Sequence, residues 1–229
     1  MADSIDTASV TTGLLYPPYR STPERAPAQP VVPLEDGDEE DRSADFPRSI
    51  LKPTDANLTK QSTGEPIGER IVVAGRVTDE DGRPIRNSLI EVWQCNAAGR
   101  YHHWRDQHDA PLDPHFRGFG KMLTDEDGNY RFVSIKPAPY PWRNHTNAWR
   151  PAHIHFSLFG NAYAQRLITQ MYFQGDPLIP LDPIYNSVAE GARERLVSRF
   201  ELGLTVEGVA LGYRFDIVLR GGKATPFGV

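Results

Sequence analysis

Cysteine is nearly missing from this 229-residue chain, with Cys95 its single thiol. One thiol forms no intramolecular disulfide, and it takes thiolate-rich zinc and iron–sulfur sites out of consideration. Any bound metal must be held by nitrogen and oxygen. Positive charge is also in short supply. With 25 Lys and Arg against 30 Asp and Glu, the formal net charge is −5, which argues against nucleic acid as a partner. No run approaches ~18 apolar residues, so no membrane span is expected. The N-terminus has no basic start leading into an apolar stretch, hence no signal peptide is expected. Together with the lone cysteine, this leads to the expectation of a cytoplasmic protein.

What is present is enough for a core: 39% hydrophobic and 10% aromatic residues. A single all-β domain of this length is ordinary. Residues 1–65 read as an irregular, proline-rich arm, with Tyr16-Pro17-Pro18-Tyr19 and prolines between 27 and 33 that exclude helix interiors and central strands. The apolar residues Leu14, Leu15, Val31, Val32 and Leu34 suggest that this arm lies on the domain or on a partner. Residues 66–229 read as one folded domain. Short strands are expected at 71–77, 89–93, 130–132, 150–160 and 165–173, and a last alternating one at 209–219. Asp-Gly turns at 81–82 and 127–128 separate them. These acidic turns lack the twelve-residue calcium pattern, so turn chemistry accounts for them. Residues 185–202 carry the one good helix pattern, with Val188, Ala192, Leu196, Val197 and Phe200 on one face. The fold class expected is an all-β, two-sheet sandwich with one or two short helices.

The chemistry centres on His153-Ile154-His155. Side chains alternate along a strand, so the two imidazoles share one face, about 6–7 Å apart, while Ile154 and Phe156 face a core. Such pairs also occur without a metal, each imidazole hydrogen-bonded or solvated, and the pair alone does not decide. Tyr140 stands between Pro139 and Pro141, which restrict the backbone and so fix where its phenol points. A second polar-aromatic cluster, Gly99-Arg100-Tyr101-His102-His103-Trp104, follows the Trp93 strand. Two imidazoles and two phenols, with no carboxylate or thiolate, disfavour magnesium, calcium and structural zinc. Ionising a free phenol at pH 7 costs about 4 kcal/mol, and a highly charged cation such as Fe(III) is needed to overcome that twice. Ferric iron with two phenolates, one hydroxide and two neutral imidazoles is charge-neutral, which suits a buried site.

On these residues, and on the motifs Tyr140-Pro141-Trp142 and Arg150-Pro151-Ala152-His153-Ile154-His155, the chain resembles the intradiol ring-cleavage dioxygenases. The likeness extends over most of 66–222, including Gly175-Asp176-Pro177 and Tyr213-Arg214-Phe215-Asp216. It is closest to the iron-bearing beta subunits of the branch that cleaves protocatechuate. The resemblance implies a mononuclear non-haem Fe(III) held by Tyr101, Tyr140, His153 and His155, and a place in aromatic catabolism. It implies that both atoms of O2 enter protocatechuate between its two hydroxylated carbons, giving 3-carboxy-cis,cis-muconate. Tyr140 would leave the metal and accept a substrate proton, and Arg150 would stabilise negative charge growing in the ring. Trp142, Gln170 and Ile184 match pocket positions, and Tyr19 matches a residue that meets the substrate carboxylate. His102, His103, His108, His115 and His145 lie in expected loops and are read as non-ligands. The resemblance further implies a homologous alpha subunit without the iron ligands, assembled with this chain into a higher-order heteromer.

Two other readings compete. A cupin-type Fe(II) oxygenase needs a carboxylate beside two histidines, and residues 150–160 contain none. A transthyretin-like carrier sandwich would share the turn pattern near 73–82 but lack the four-ligand set. Tyrosinate-to-iron charge transfer would colour a ferric dioxygenase burgundy and leave a carrier colourless.

Overall fold

The computed structural model describes residues 46–142, 148–160 and 166–227. Eleven strands are found among them: β1 (Arg70–Thr78), β2 (Leu89–Trp93), β3 (Phe119–Leu123), β4 (Asn129–Ile135), β5 (Tyr140–Trp142), β6 (Ala148–Arg150), β7 (His153–Phe159), β8 (Arg166–Phe173), β9 (Val197–Phe200), β10 (Leu211–Arg214) and β11 (Ile217–Val218). One group runs β4–β1–β10, with β11 continuing along β1, and the other runs β3–β2–β7–β8. β9 joins them, pairing parallel with β8 and antiparallel with β10. β5 and β6 form a separate two-stranded ribbon.

The two groups close on one core. Phe156 on β7 meets Tyr130 and Phe132 of β4 at ring-centroid distances of 6.0 Å each, and Phe215 at 5.3 Å. Edge and tilted contacts of this kind add to the burial of the rings themselves. Ile154, Phe156 and Leu158, alternate residues of β7, are fully buried in this core. The opposite face of the same strand is thereby left for the histidines. Gly75 allows the closest approach in the core: a Cβ there would stand 1.8 Å from the Phe215 carbonyl oxygen, which accepts the Tyr130 hydroxyl at 2.5 Å.

The acidic turns behave as turn chemistry. Asp79 Oδ1 accepts the backbone N–H groups of Asp81 and Arg83, and Asp125 Oδ1 those of Asp127 and Asn129. The described part of the leading segment is tied to the domain: Leu58 is fully buried in the main core, and Val133 N–H donates to the Ala56 carbonyl.

Two expectations need correction. Residues 185–202 do not form one helix. They hold the end of one short helix, α1 (Pro183–Ser187), the whole of a second, α2 (Glu190–Arg193), then a 3-10 turn and β9. The β-branched Val197 and the parallel pairing of Tyr172 with Val197 draw the last part into the sheet, a tertiary demand that helical periodicity cannot foresee. Nor is 209–219 one strand. β10 ends at Arg214 and β11 begins at Ile217, while Asp216 turns aside to accept the Arg76 N–H; Val209 precedes the strand and is exposed.

Candidate active site

Three pieces of chain bring the donors together. The first is the outward face of β7. His153 lies opposite Tyr172, and His155 opposite Gln170, on β8; across β2, His155 lies opposite Trp93. The Trp93 and His155 rings are parallel, 4.9 Å apart. His153 Nδ1 is 2.7 Å from the Pro151 carbonyl, so its N–H donates there and the lone pair falls on Nε2. His153 Nε2 and His155 Nε2 are 3.2 Å apart. Burial, then the charge of Arg150, hold the His153 pKa well below the ordinary histidine range. His153 is therefore a neutral nitrogen donor at neutral pH.

The second piece is the loop after β2. Asn96 Oδ1 accepts the N–H groups of Ala98 and Arg100, both at 2.9 Å, and its Nδ2 donates to the Pro111 carbonyl. Gly99 closes this turn at φ +80°, and a Cβ there would lie 2.6 Å from the Pro139 oxygen. The loop is thus pressed against the third piece, the ribbon that carries Tyr140. Tyr101 N–H donates to Asp106, and Tyr101 Oη comes within 3.2 Å of His155 Nε2. The Tyr101 and Tyr140 rings meet edge-on at 5.4 Å, and the Tyr140 ring lies 5.5 Å from that of His153. Burial pushes the Tyr101 phenol well above its usual pKa, with Tyr140 adding to the shift, and burial raises Tyr140 too, against the pull of Arg150. Neither phenol ionises here unaided.

Arg150 is buried, with 2% of its surface exposed. Its Nη1 is 3.2 Å from His153 Nε2, and the Trp142 ring lies 5.7 Å from the guanidinium. Gln170 Oε1 accepts from Nη2, and Ile184 is buried on α1. Trp142, Arg150, His153 and Gln170 therefore share one buried neighbourhood with the phenols. His102, His103 and His108 sit in the loop beyond Tyr101, and His115 Nδ1 pairs with the Ser62 hydroxyl at 3.0 Å. Tyr19 and His145 lie outside the described residues.

Sequence reading missed several residues that hold this site. Trp93 and Tyr172 are found only once the register of β2, β7 and β8 is known. Asp182 and Asn96 each had a local signal. Asp182 precedes Pro183, the pattern of a helix N-cap with proline at the first position, and Asn96 stands three residues before a glycine in a turn. Among the described residues no group of three or more His, Cys, Asp or Glu gathers as a metal site. The donors that complete this set are phenols. Two imidazoles with Nε2 atoms 3.2 Å apart and two half-buried phenols fit a hard trivalent cation, which offsets the ionisation of both oxygens.

No helix among the described residues is long and apolar enough to cross a membrane. A family model described as Dioxygenase matches residues 43–221. The protocatechuate 3,4-dioxygenase beta chain of Burkholderia cepacia is 58% identical over 214 residues, covering 93% of this chain and 91% of the relative. A catechol 1,2-dioxygenase of Candida albicans is 34% identical over 153 residues, covering 61% of this chain and 48% of the relative. This chain thus spans about half the length of that second relative. Among solved structures, 3-chlorocatechol 1,2-dioxygenase from Rhodococcus opacus 1CP matches with a TM-score of 0.57 at 24% identity, covering 77% of this chain and 70% of that one.

Proposed function

This chain belongs to the intradiol ring-cleavage dioxygenases, and we propose that it is the iron-bearing subunit of a protocatechuate 3,4-dioxygenase. In that role it would cleave 3,4-dihydroxybenzoate between the hydroxylated carbons, both atoms of O2 entering the product, 3-carboxy-cis,cis-muconate. The observation that carries the reading is the convergence of Tyr101 Oη, His153 Nε2 and His155 Nε2 within 3.2 Å steps, beside Tyr140. The 58% identity to a protein of that name supports the choice of substrate.

Members of this family generally depend on non-haem Fe(III), and the residues proposed to hold one such ion are Tyr101, Tyr140, His153 and His155. When bound, ferric iron supplies the charge that keeps phenols and catechol ionised and draws electron density from the ring. The protein residues do the rest. His153 and His155 contribute neutral nitrogens, the first fixed in its tautomer by the Pro151 carbonyl. Tyr140 Oη is proposed as the base that takes a catechol proton as substrate enters. Its place beside Arg150 keeps the neutral phenol and its anion both within reach of a cation. Arg150, itself buried, offers Nη1 to negative charge that grows on the ring. Trp142 and Ile184 form apolar walls that orient the ring, and Gln170 steadies the guanidinium. Tyr19 is proposed to meet the substrate carboxylate.

The protein is proposed to act in the cytoplasm, with 66–229 as its catalytic domain and 1–65 as an arm whose apolar stretch 11–34 lies on a homologous alpha subunit, while Ala56 and Leu58 hold its end to the domain. The name of the Burkholderia relative, a beta chain, supports such a partner. Oxygen uptake tests the reading. With the partner present, protocatechuate should be consumed one-to-one with O2 and far faster than catechol. Turnover of catechol alone, or a product other than the carboxymuconate, would remove it.

A further inference from the structure

Arg150 is buried, and most of its guanidinium is already engaged. Nε lies 3.2 Å from Asp182 Oδ1, and Nη2 lies 2.8 Å from Asp182 Oδ2. Nη2 also reaches Gln170 Oε1 at 2.5 Å and the Tyr172 hydroxyl at 3.0 Å. That hydroxyl in turn donates to Asp182 Oδ2 at 2.8 Å. The remaining nitrogen, Nη1, is the one turned toward His153. A guanidinium is flat and rigid, so a carboxylate that grips two of its nitrogens fixes the direction of the third. Asp182 is itself completely buried. Its Oδ1 also accepts the Ile184 N–H at 3.3 Å, capping α1 and setting the wall that Ile184 forms.

We propose that Asp182 is a positioning residue of this site: its carboxylate aims Arg150 Nη1 at the ligand cluster and ties that aim to the Ile184 wall. The proposal rests on the role given to Arg150 above. A carboxylate placed only to cap a five-residue helix would need no cation and no phenol on its second oxygen. Here Oδ2 takes one bond from Arg150 and one from Tyr172. Charge explains the residue type. A buried arginine without a counter-ion is costly, and a carboxylate provides both the charge and the fork.

The substitution Asp182→Asn separates the two jobs. Asparagine caps a helix as well as aspartate does, but it removes the charge and turns an NH2 donor toward donors. A double-variant cycle with Arg150→Gln, in the chain produced with its partner subunit, reads the result. Asp182→Asn should keep its iron and visible colour while kcat falls about 10–100-fold, the range for supporting residues of a metal site, and KM moves less. In the Arg150→Gln background the same change should slow turnover no further. Thermal melting of the metal-free proteins gives an independent reading. Asp182→Asn should lower Tm when Arg150 is present and raise it in the Arg150→Gln background, where the carboxylate would otherwise be buried without its counter-ion. Equal losses in kcat and Tm in both backgrounds would reduce Asp182 to a cap and overturn the proposal. If Asp182→Asn alone yields no folded protein, recovery of folding in the double variant supports the coupling, and failure of both variants overturns it. Should Arg150→Gln leave kcat unchanged, the role of Arg150 falls, while the melting cycle still reports whether Asp182 holds it.

Discussion

Tyr140 and Arg150 stand directly opposite each other in the β5–β6 ribbon. The pairing places a phenol and a cation side by side at the mouth of the histidine face, although they belong to different strands. The neighbouring pair, Pro141 with Trp149, brings a proline that withholds one ladder hydrogen bond. A ribbon this short, held by few bonds, suits the change of partners proposed for Tyr140.

Tyr140→Phe tests that role. The ring would keep its contacts with Tyr101 and His153, and iron should stay bound by the remaining three donors. Substrate binding and product release should slow in stopped-flow measurements. If the purified variant has lost its iron, Tyr140 is no displaceable ligand.

His155→Ala should abolish metal binding. His155 faces both His153 Nε2 and Tyr101 Oη, so its loss opens the centre of the donor set. Iron content and the burgundy colour should both drop to background. A variant with full iron would exclude His155 as a ligand.

Gly99→Ala should damage the site from a distance. A side chain at φ +80° costs about 1–2 kcal/mol, and the added methyl would press on the Pro139 oxygen and the Tyr140 Cβ. The melting temperature should fall by about 2–8 °C, and iron should bind more weakly as Tyr101 and Tyr140 separate. Unchanged iron affinity would mean that this turn does not set their spacing.

Cys95 should shape the alkaline limit of stability. Its thiol donates to the Ala138 carbonyl at 3.3 Å, and burial raises its pKa to about 12. The unfolded thiol ionises near ~8.5. Its contribution to stability is therefore complete below that pH and is lost as pH climbs toward 12, at up to ~1.4 kcal/mol per unit. Denaturant melts from about pH 8.5 upward, within the window between those two ionisations, should show a steeper decline in the native protein than in Cys95→Ala. A thiol reagent should leave the folded protein untouched; rapid labelling under mildly alkaline conditions would contradict the burial argument.

Produced alone, the chain should be poorly soluble or inactive, and co-production with its homologous partner should restore turnover. Sedimentation and oxygen uptake on both preparations check this, and stable full activity of the isolated chain would refute it.

Much of this protein was legible before any coordinates. Alternation at Ile154, Phe156 and Leu158 against His153 and His155 predicts both the core face and the donor face of β7, because strand geometry has a fixed period of two. The scarcity of cysteine restricts any metal site to nitrogen and oxygen donors, and the prolines flanking Tyr140 mark its place. Periodicity failed at 185–202, where a helical pattern ends in a strand because β8 offers Tyr172 as a parallel partner. The support of the site was beyond reach for a related reason. Trp93 against His155 and Asp182 gripping Arg150 are contacts between distant positions of the chain. Local preferences act over a few residues, whereas such contacts exist only after the register of whole strands is set. The residue types proposed as donors could thus be picked out along the chain, because strand period and proline act locally, whereas their convergence and the contacts of Arg150 depend on the packing of the sheets and of the β5–β6 ribbon.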